Sequence, residues 1–250
     1  MKQSIIVESR IDKIDVDLFL PDNWDEEKLI IFYHGFNSGK YSEAYLQIGK
    51  RMLENGIAYA IFSLPYHADR RNDYHDLTLA NCIEDCELVE NTLREKYPNT
   101  KIGILGTSFG GYLTLLRLKK TKQDYFAVIL KSPAIKMDKI LKIIMGDVGF
   151  KIFESQGFVV DDHKETPMRI NYSLYEEFCA NRIMDNPNYD DSILIYHGNI
   201  DDTAPYEDSV EFASLNANTT LVTLENENHK FSLEALDKFS IEVADFCKNQ

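Results

Sequence analysis

The residues Gly106-Thr107-Ser108-Phe109-Gly110-Gly111 follow an apolar run, Lys101-Ile102-Gly103-Ile104-Leu105, and open a helix-patterned one from Tyr112 to Leu118. A serine that closes a strand and starts a helix occupies a turn so sharp that its backbone is strained and its hydroxyl stands clear of its neighbours. Side chains two positions before and two after it would collide with the adjacent strand and helix, so Gly106 and Gly110 supply the missing volume. This G-x-S-x-G turn constrains the fold more than any other stretch, because it needs a strand entering and a helix leaving at one end of a sheet. A phosphate-cradling turn is the competing use of such glycines, but neither G-x-x-x-x-G-K-S/T nor G-x-G-x-x-G is present.

The rest of the chain supplies that sheet. Ser4–Glu8 and Lys13–Leu20 read as a half-buried hairpin, the second strand alternating Ile14, Val16, Leu18 and Leu20 with polar partners before Pro21-Asp22-Asn23. Lys28–Tyr33 is a continuous apolar run, the pattern of a strand covered on both faces. Helix and strand patterns then alternate: helix 42–55, strand 57–62, helix 77–97, strand 101–105, a helix from Phe109 and strand 125–130. After Pro133 the alternation stops, and it resumes with strand 193–196, helix 207–215, strand 219–224 and helix 233–248. Such alternation predicts an α/β fold: a mostly parallel central sheet with helices on both faces, right-handed crossovers and an antiparallel N-terminal hairpin. Ligands in such sheets bind at the carboxyl ends of the strands. The interruption, 134–187, is too long for an ordinary connection and is expected to form an inserted cap subdomain, with 1–133 and 188–250 as the core. Within it Tyr172, Tyr175 and Phe178 are candidate substrate contacts, with packing of the cap onto the core as the competing role.

A serine hydroxyl becomes a useful nucleophile when a base takes its proton, and the base works best when a carboxylate fixes its tautomer. On sheets of this type the order along the chain is serine, acid, histidine. The acid candidate lies in Tyr196-His197-Gly198-Asn199-Ile200-Asp201-Asp202-Thr203-Ala204-Pro205, directly after an apolar strand. Asp201 and Asp202 are chemically alike; spacing from His197-Gly198 and Pro205 favours Asp201. The one histidine that follows is His229, in the polar stretch between the last strand and last helix. An oxyanion needs two donors: the amide of Phe109 opens a helix, and that of Phe36 lies in His34-Gly35-Phe36 after the first parallel strand. His34 and His197 read as turn-bracing residues. His67, at the end of the next strand, is a second-rank candidate for substrate contact, with loop bracing as its other role. Neither His75 and His163 nor the four cysteines show metal-ligand spacing, and neither metal nor cofactor is expected.

A formal charge of −14 opposes binding to nucleic acid or to anionic membranes. No run reaches membrane-spanning length and the first ten residues lack a signal-peptide core, so a cytoplasmic location and a small-molecule partner are expected. Assembly into a homodimer is left open.

Taken in order, His34-Gly35-Phe36, Gly106-Thr107-Ser108-Phe109-Gly110-Gly111, His197-Gly198 with Asp201 and Pro205, and His229 make the chain resemble the α/β-hydrolase family over nearly its whole length. The H-G-F loop and mid-chain cap are similar to small bacterial carboxylesterases of the feruloyl or cinnamoyl esterase type, and to the hydrolase domain of prolyl oligopeptidases. The resemblance implies a serine hydrolase acting on carboxylic esters through an acyl-enzyme. An aminopeptidase-like or thioester-cleaving hydrolase with the same triad is the alternative, and a non-catalytic binding protein on this fold a further one, although each triad member is in place. The loop Pro65-Tyr66-His67-Ala68-Asp69-Arg70 departs from the family's usual P-G-H-G-x-S, and the chain has no room for the propeller that gates prolyl oligopeptidases.

Overall fold

The computed structural model describes residues 1–121, 123–162 and 167–250; His163 and part of the 134–187 segment lie outside the described residues. Strands β1 (Lys2–Glu8) and β2 (Lys13–Phe19) form the N-terminal hairpin, followed by β3 (Lys28–Tyr33), α1 (Glu43–Glu54) and β4 (Ala58–Ile61). Next come α2 (Leu79–Lys96), β5 (Lys101–Thr107), α3 (Phe109–Lys120) and β6 (Val128–Lys131). The 134–187 segment carries α4 (Met137–Gln156), β7 (Phe158–Asp161), β8 (Met168–Asn171) and α5 (Tyr172–Ala180). The chain then returns through β9 (Ile193–Gly198), α6 (Tyr206–Leu215), β10 (Thr219–Leu224) and α7 (Leu233–Lys248).

Eight strands make one sheet in the order β1-β2-β4-β3-β5-β6-β9-β10, parallel from β4 to β10 and antiparallel only where β2 meets β1 and β4. The all-apolar pattern of β3 has the expected cause. Leu29, Ile31 and Tyr33 point into one core, with α2 and α3, and Ile30 and Phe32 into the other, with α1 and α7. Helix starts follow local chemistry: the hydroxyls of Ser42, Thr78 and Ser232 accept from the amides of Tyr45, Asn81 and Ala235 at the first turns of α1, α2 and α7. β7 and β8 pair as a separate antiparallel ribbon, and Phe153, Met168, Leu174 and Phe178 of the 134–187 segment join the core on the α2/α3 face. No helix among the described residues is long and apolar enough to cross a membrane.

The loop after β4 is held from below by Arg70, which is 5% exposed. Its guanidinium donates to Asp85 Oδ2 at 2.6 Å and to the Ser63 carbonyl at 2.8 Å, and it also bonds Asp12. Removing one member of a buried ion pair leaves the other uncompensated in low dielectric. Arg70→Met should therefore destabilise the fold by about 3–5 kcal/mol in a urea titration, since Asp85 would stay buried without its cation. A loss under about 1 kcal/mol would show that the pair behaves as if solvated.

Candidate active site

Ser108 stands between β5 and α3 with φ +53° and ψ −116°, a backbone conformation that a residue with a Cβ adopts only under strain. The crowding around it explains its glycines. A Cβ on Gly110 would come within 1.9 Å of the Tyr33 carbonyl oxygen on β3, and one on Gly106 within 2.6 Å of the Gly110 carbonyl oxygen. The strained turn is held from both sides: the Ser108 amide donates to the Lys131 carbonyl at 3.0 Å, and the Ser108 carbonyl accepts from Tyr112 and Ala134 amides at 3.1 and 3.0 Å. Helical bonding thus begins at Tyr112, so the amides of Phe109, Gly110 and Gly111 point out of the start of α3 without partners inside the helix.

After β9, separated from β5 by β6, Asp201 is tied on every side. Its Oδ1 accepts from the amides of Thr203 at 2.9 Å and Ala204 at 2.8 Å; its Oδ2 accepts from His229 Nδ1 at 2.8 Å and His197 Nε2 at 2.9 Å. Burial alone would raise this carboxyl, whose side chain is wholly buried, but the bonds from His197, His229 and the Ala204 amide outweigh it and hold it well below the usual carboxylate range. Asp202 is exposed and accepts only from the Thr203 hydroxyl among the described residues. Because His229 gives its Nδ1–H to Asp201, its Nε2 is the ring nitrogen left able to accept a proton. His197 donates Nε2–H to Asp201 and to the Ala204 carbonyl at 3.0 Å, which leaves Nδ1 to accept from the Ser209 hydroxyl at 2.7 Å.

The loop after β3 supplies the facing wall. Gly35 lies so close to Ser108 that a Cβ on it would stand 3.3 Å from Ser108 Cβ. His34 is fixed as a neutral imidazole, Nδ1 donating to the Gly35 carbonyl at 2.8 Å and Nε2 accepting from the Leu64 amide at 2.9 Å. The amide of Phe36 donates to no backbone carbonyl among the described residues, while its ring meets those of Phe109 and His67 edge-on, each with centroids 5.4 Å apart. Further along, the buried ammonium of Lys40 reaches Asp15, Asp69 and Asp17 at 2.9, 3.2 and 3.4 Å. Burial lowers its affinity for a proton, but these three carboxylates raise it further, so Lys40 stays charged and pins the loop to β2.

A family model for the serine aminopeptidases, S33, matches residues 25–155, just over half of the chain and including Phe36, Ser108 and Phe109. The chain belongs to this family of α/β-hydrolases. Similar solved structures cover almost all of it. A putative hydrolase from Agrobacterium vitis S4 is 18% identical with a TM-score of 0.83, over 99% of this chain and 98% of its own. Est1E from Butyrivibrio proteoclasticus, also solved with ferulic acid bound, is 23% identical with a TM-score of 0.80, over 97% and 96%. At these identities the likeness is one of fold. In sequence the chain is also 22% identical to an uncharacterized protein of Acanthamoeba polyphaga mimivirus, over 83% of this chain and 68% of that one.

In this α/β-hydrolase the loop that departs from P-G-H-G-x-S takes a conformation that favours glycine. Tyr66 and Ala68 stand where the usual loop has glycine, and both have positive φ, +58° and +45°. Each such residue stores on the order of 1–2 kcal/mol of strain. Tyr66 offsets part of it across to the 134–187 segment, its hydroxyl accepting from the Arg169 amide at 3.5 Å. His67 between them is buried, donates Nδ1–H to the Pro65 carbonyl at 2.8 Å and stacks parallel to the Phe109 ring. Of the aromatic candidates, Phe178 reaches the site's own residues: its ring meets Phe109 and Tyr112 at centroid distances of 6.0 and 5.7 Å. Tyr172 and Tyr175 instead pack with Phe150 and Phe153 of α4.

Two residues of the hydrolase were not singled out for these roles by the sequence. His197 shares the Asp201 carboxylate, and its i,i+4 spacing from Asp201 was a signal for that contact. Lys131 reaches the His229 carbonyl from β6, and no local pattern marks a contact between residues so far apart in the chain.

Proposed function

We propose that this hydrolase cleaves carboxylic esters of small molecules through an acyl-enzyme on Ser108. The observation that carries the reading is the buried Asp201 carboxylate bonded to His229 Nδ1 after β9, at the same carboxyl edge of the sheet as the strained Ser108 turn after β5. In the first half-reaction His229 Nε2 takes the Ser108 proton as Oγ bonds to the ester carbonyl carbon, and the amides of Phe36 and Phe109 receive the new oxyanion. Collapse breaks the bond to the alcohol, which leaves with the proton from His229. Water then attacks the acyl group by the same relay, releasing the acid and restoring Ser108. Asp201 orients the imidazole and offsets the charge it carries in both steps. No step calls for a metal or cofactor.

The 134–187 segment acts as a cap in this proposal. Phe178 and His67, both packed on the Phe109 ring, couple their positions to the oxyanion donor, while Tyr172 and Tyr175 pack on Phe150 and Phe153 within the segment. The ferulic acid held by Est1E supports aryl esters as the class to try first. The family's description as serine aminopeptidases favours an aminoacyl amide as the second reading. A fluorophosphonate probe followed by a panel of 4-nitrophenyl acetate, methyl cinnamate, an acyl thioester and an aminoacyl 4-nitroanilide separates them. The expected result is covalent labelling with highest kcat/KM on the esters; faster turnover of the anilide would move the assignment to peptidase chemistry.

A further inference from the structure

We infer that Lys131 is a positioning residue for the base: from the end of β6 its side-chain nitrogen holds the His229 loop in place against the nucleophile turn. This rests on the reading of His229 as the base. Lys131 Nζ donates to the His229 carbonyl at 2.9 Å, the Ser132 hydroxyl donates to the same oxygen at 3.2 Å, and Nζ sits 3.7 Å over the Phe231 ring. These donors come from a side chain 2% exposed and a residue with φ +44°, a costly way to build a strand end unless the contact has a use.

The same short stretch also touches the other two parts of the site. β6 lies between β5 and β9 with Lys131 in register with Thr107 and Tyr196, the residues immediately before Ser108 and His197. The Lys131 carbonyl accepts from the Ser108 amide, the Ser132 amide donates to the Tyr196 carbonyl at 2.8 Å, and the Ala134 amide donates to the Ser108 carbonyl. Backbone bonds therefore fix Lys131 relative to nucleophile and acid, and its side chain, with that of Ser132, passes this register on to the peptide that follows the base, while the Ile200 amide, donating to the Glu227 carbonyl at 3.1 Å, ties the start of the same loop to the turn after β9. Several other bonds around His229 stay within its loop: Phe231 amide to Asn228 carbonyl, Lys230 amide to Asn228 Oδ1 and Ser232 amide to Glu227.

The charge of Lys131 fits this use. Burial pushes its amine down to about 7, while the carboxylates of Asp201 and Glu227, facing it from the turn after β9 and the loop after β10, pull the other way. The amine donates to the His229 carbonyl in either protonation state. For stability the sign is set by the unfolded chain, whose lysine keeps its proton up to roughly pH 10.4. Between about 7 and that value the unfolded state binds the extra proton, so wild-type stability gains with rising pH from this group.

Lys131→Met keeps the apolar stem and removes the donor. The variant should fold, melt at or above the wild-type temperature at pH 7, and lose the gain on raising the pH. Its kcat on 4-nitrophenyl acetate should fall on the order of 10- to 100-fold with KM within about twofold, the effect of a small misplacement of a reacting group. Ser132→Ala should act in the same direction and less. Proton NMR reads the geometry without turnover: the His229 Nδ1–H bonded to Asp201 should broaden or move in Lys131→Met, while the His197 Nε2–H bonded to the same carboxylate stays as an internal control. Wild-type kcat with an unmoved His229 signal would overturn the inference, and so would failure of Lys131→Met to fold, which would make Lys131 a support of the fold. If wild type cleaves no ester but the His229 signal still moves, the positioning stands and the ester reading falls.

Discussion

Ser108→Ala should lower kcat on an ester by a factor on the order of 10⁴ to 10⁶, abolish fluorophosphonate labelling and leave the melting temperature close to wild type. The size follows from what the hydroxyl does in the proposed reaction: without it there is no acyl-enzyme, and only the oxyanion donors and substrate binding remain to help water attack directly. The small stability effect follows from the turn. Ser108 makes no side-chain bond to the start of α3, so alanine loses no cap, and its Cβ sits in the same strained conformation at φ +53°. Its backbone bonds to Lys131, Tyr112 and Ala134 persist unchanged. Covalent labelling that survives in this variant would place the nucleophile elsewhere in the chain.

Asp201→Asn costs on the order of 10²- to 10⁴-fold in kcat, whereas Asp202→Asn stays within about twofold. An asparagine has one acceptor where Asp201 uses two. If its oxygen keeps the Oδ2 place, its NH₂ group is driven against the amides of Thr203 and Ala204; if it keeps the Oδ1 place, the NH₂ group faces the N–H of both His197 and His229. The second arrangement forces His229 to the tautomer that holds its proton on Nε2, where it cannot accept one from Ser108. The variant should also lose part of the wild-type response to acid. A carboxyl held below its unfolded value of roughly 3.9 stabilises the fold above that pH and loses the contribution as pH falls toward the folded value. Asp202, exposed and bonded only to its neighbour's hydroxyl among the described residues, has none of these roles. A larger loss for Asp202→Asn would show that the turn after β9 is offset by one residue.

The elbow and the alternation around it were legible because their causes are local. An apolar run such as Lys28–Tyr33 can be buried on both faces only inside a sheet, and Gly106 and Gly110 mark a crossing whose clashes lie within eight residues or against the adjacent strand. Helix ends agree closely where a hydroxyl caps them, as at Ser42 and Ser232. The sixth strand begins later than the apolar run 125–130 suggests, at Val128–Lys131, since Tyr125 and Phe126 are apolar but lie before the ladder begins. In the 134–187 segment, the α4, β7, β8 and α5 elements escape a reading by period, because the exposed Ile143, Ile144, Val148 and Ile152 blur the helical stripe and Gly146 interrupts it with φ +63°.

The sequence by itself determined the order of elements outside 134–187 and the sharp turn at Ser108, since each is written in residues adjacent in the chain or spaced by one turn or strand. Tertiary structure alone decided which groups share an atom. Asp201 Oδ2 joins His197 to His229 and the His229 carbonyl joins Lys131 to Ser132, contacts that span up to 98 residues of sequence. Such meetings depend on the order of β5, β6, β9 and β10 across the sheet, and that order comes from long-range packing of both faces, which no local pattern encodes.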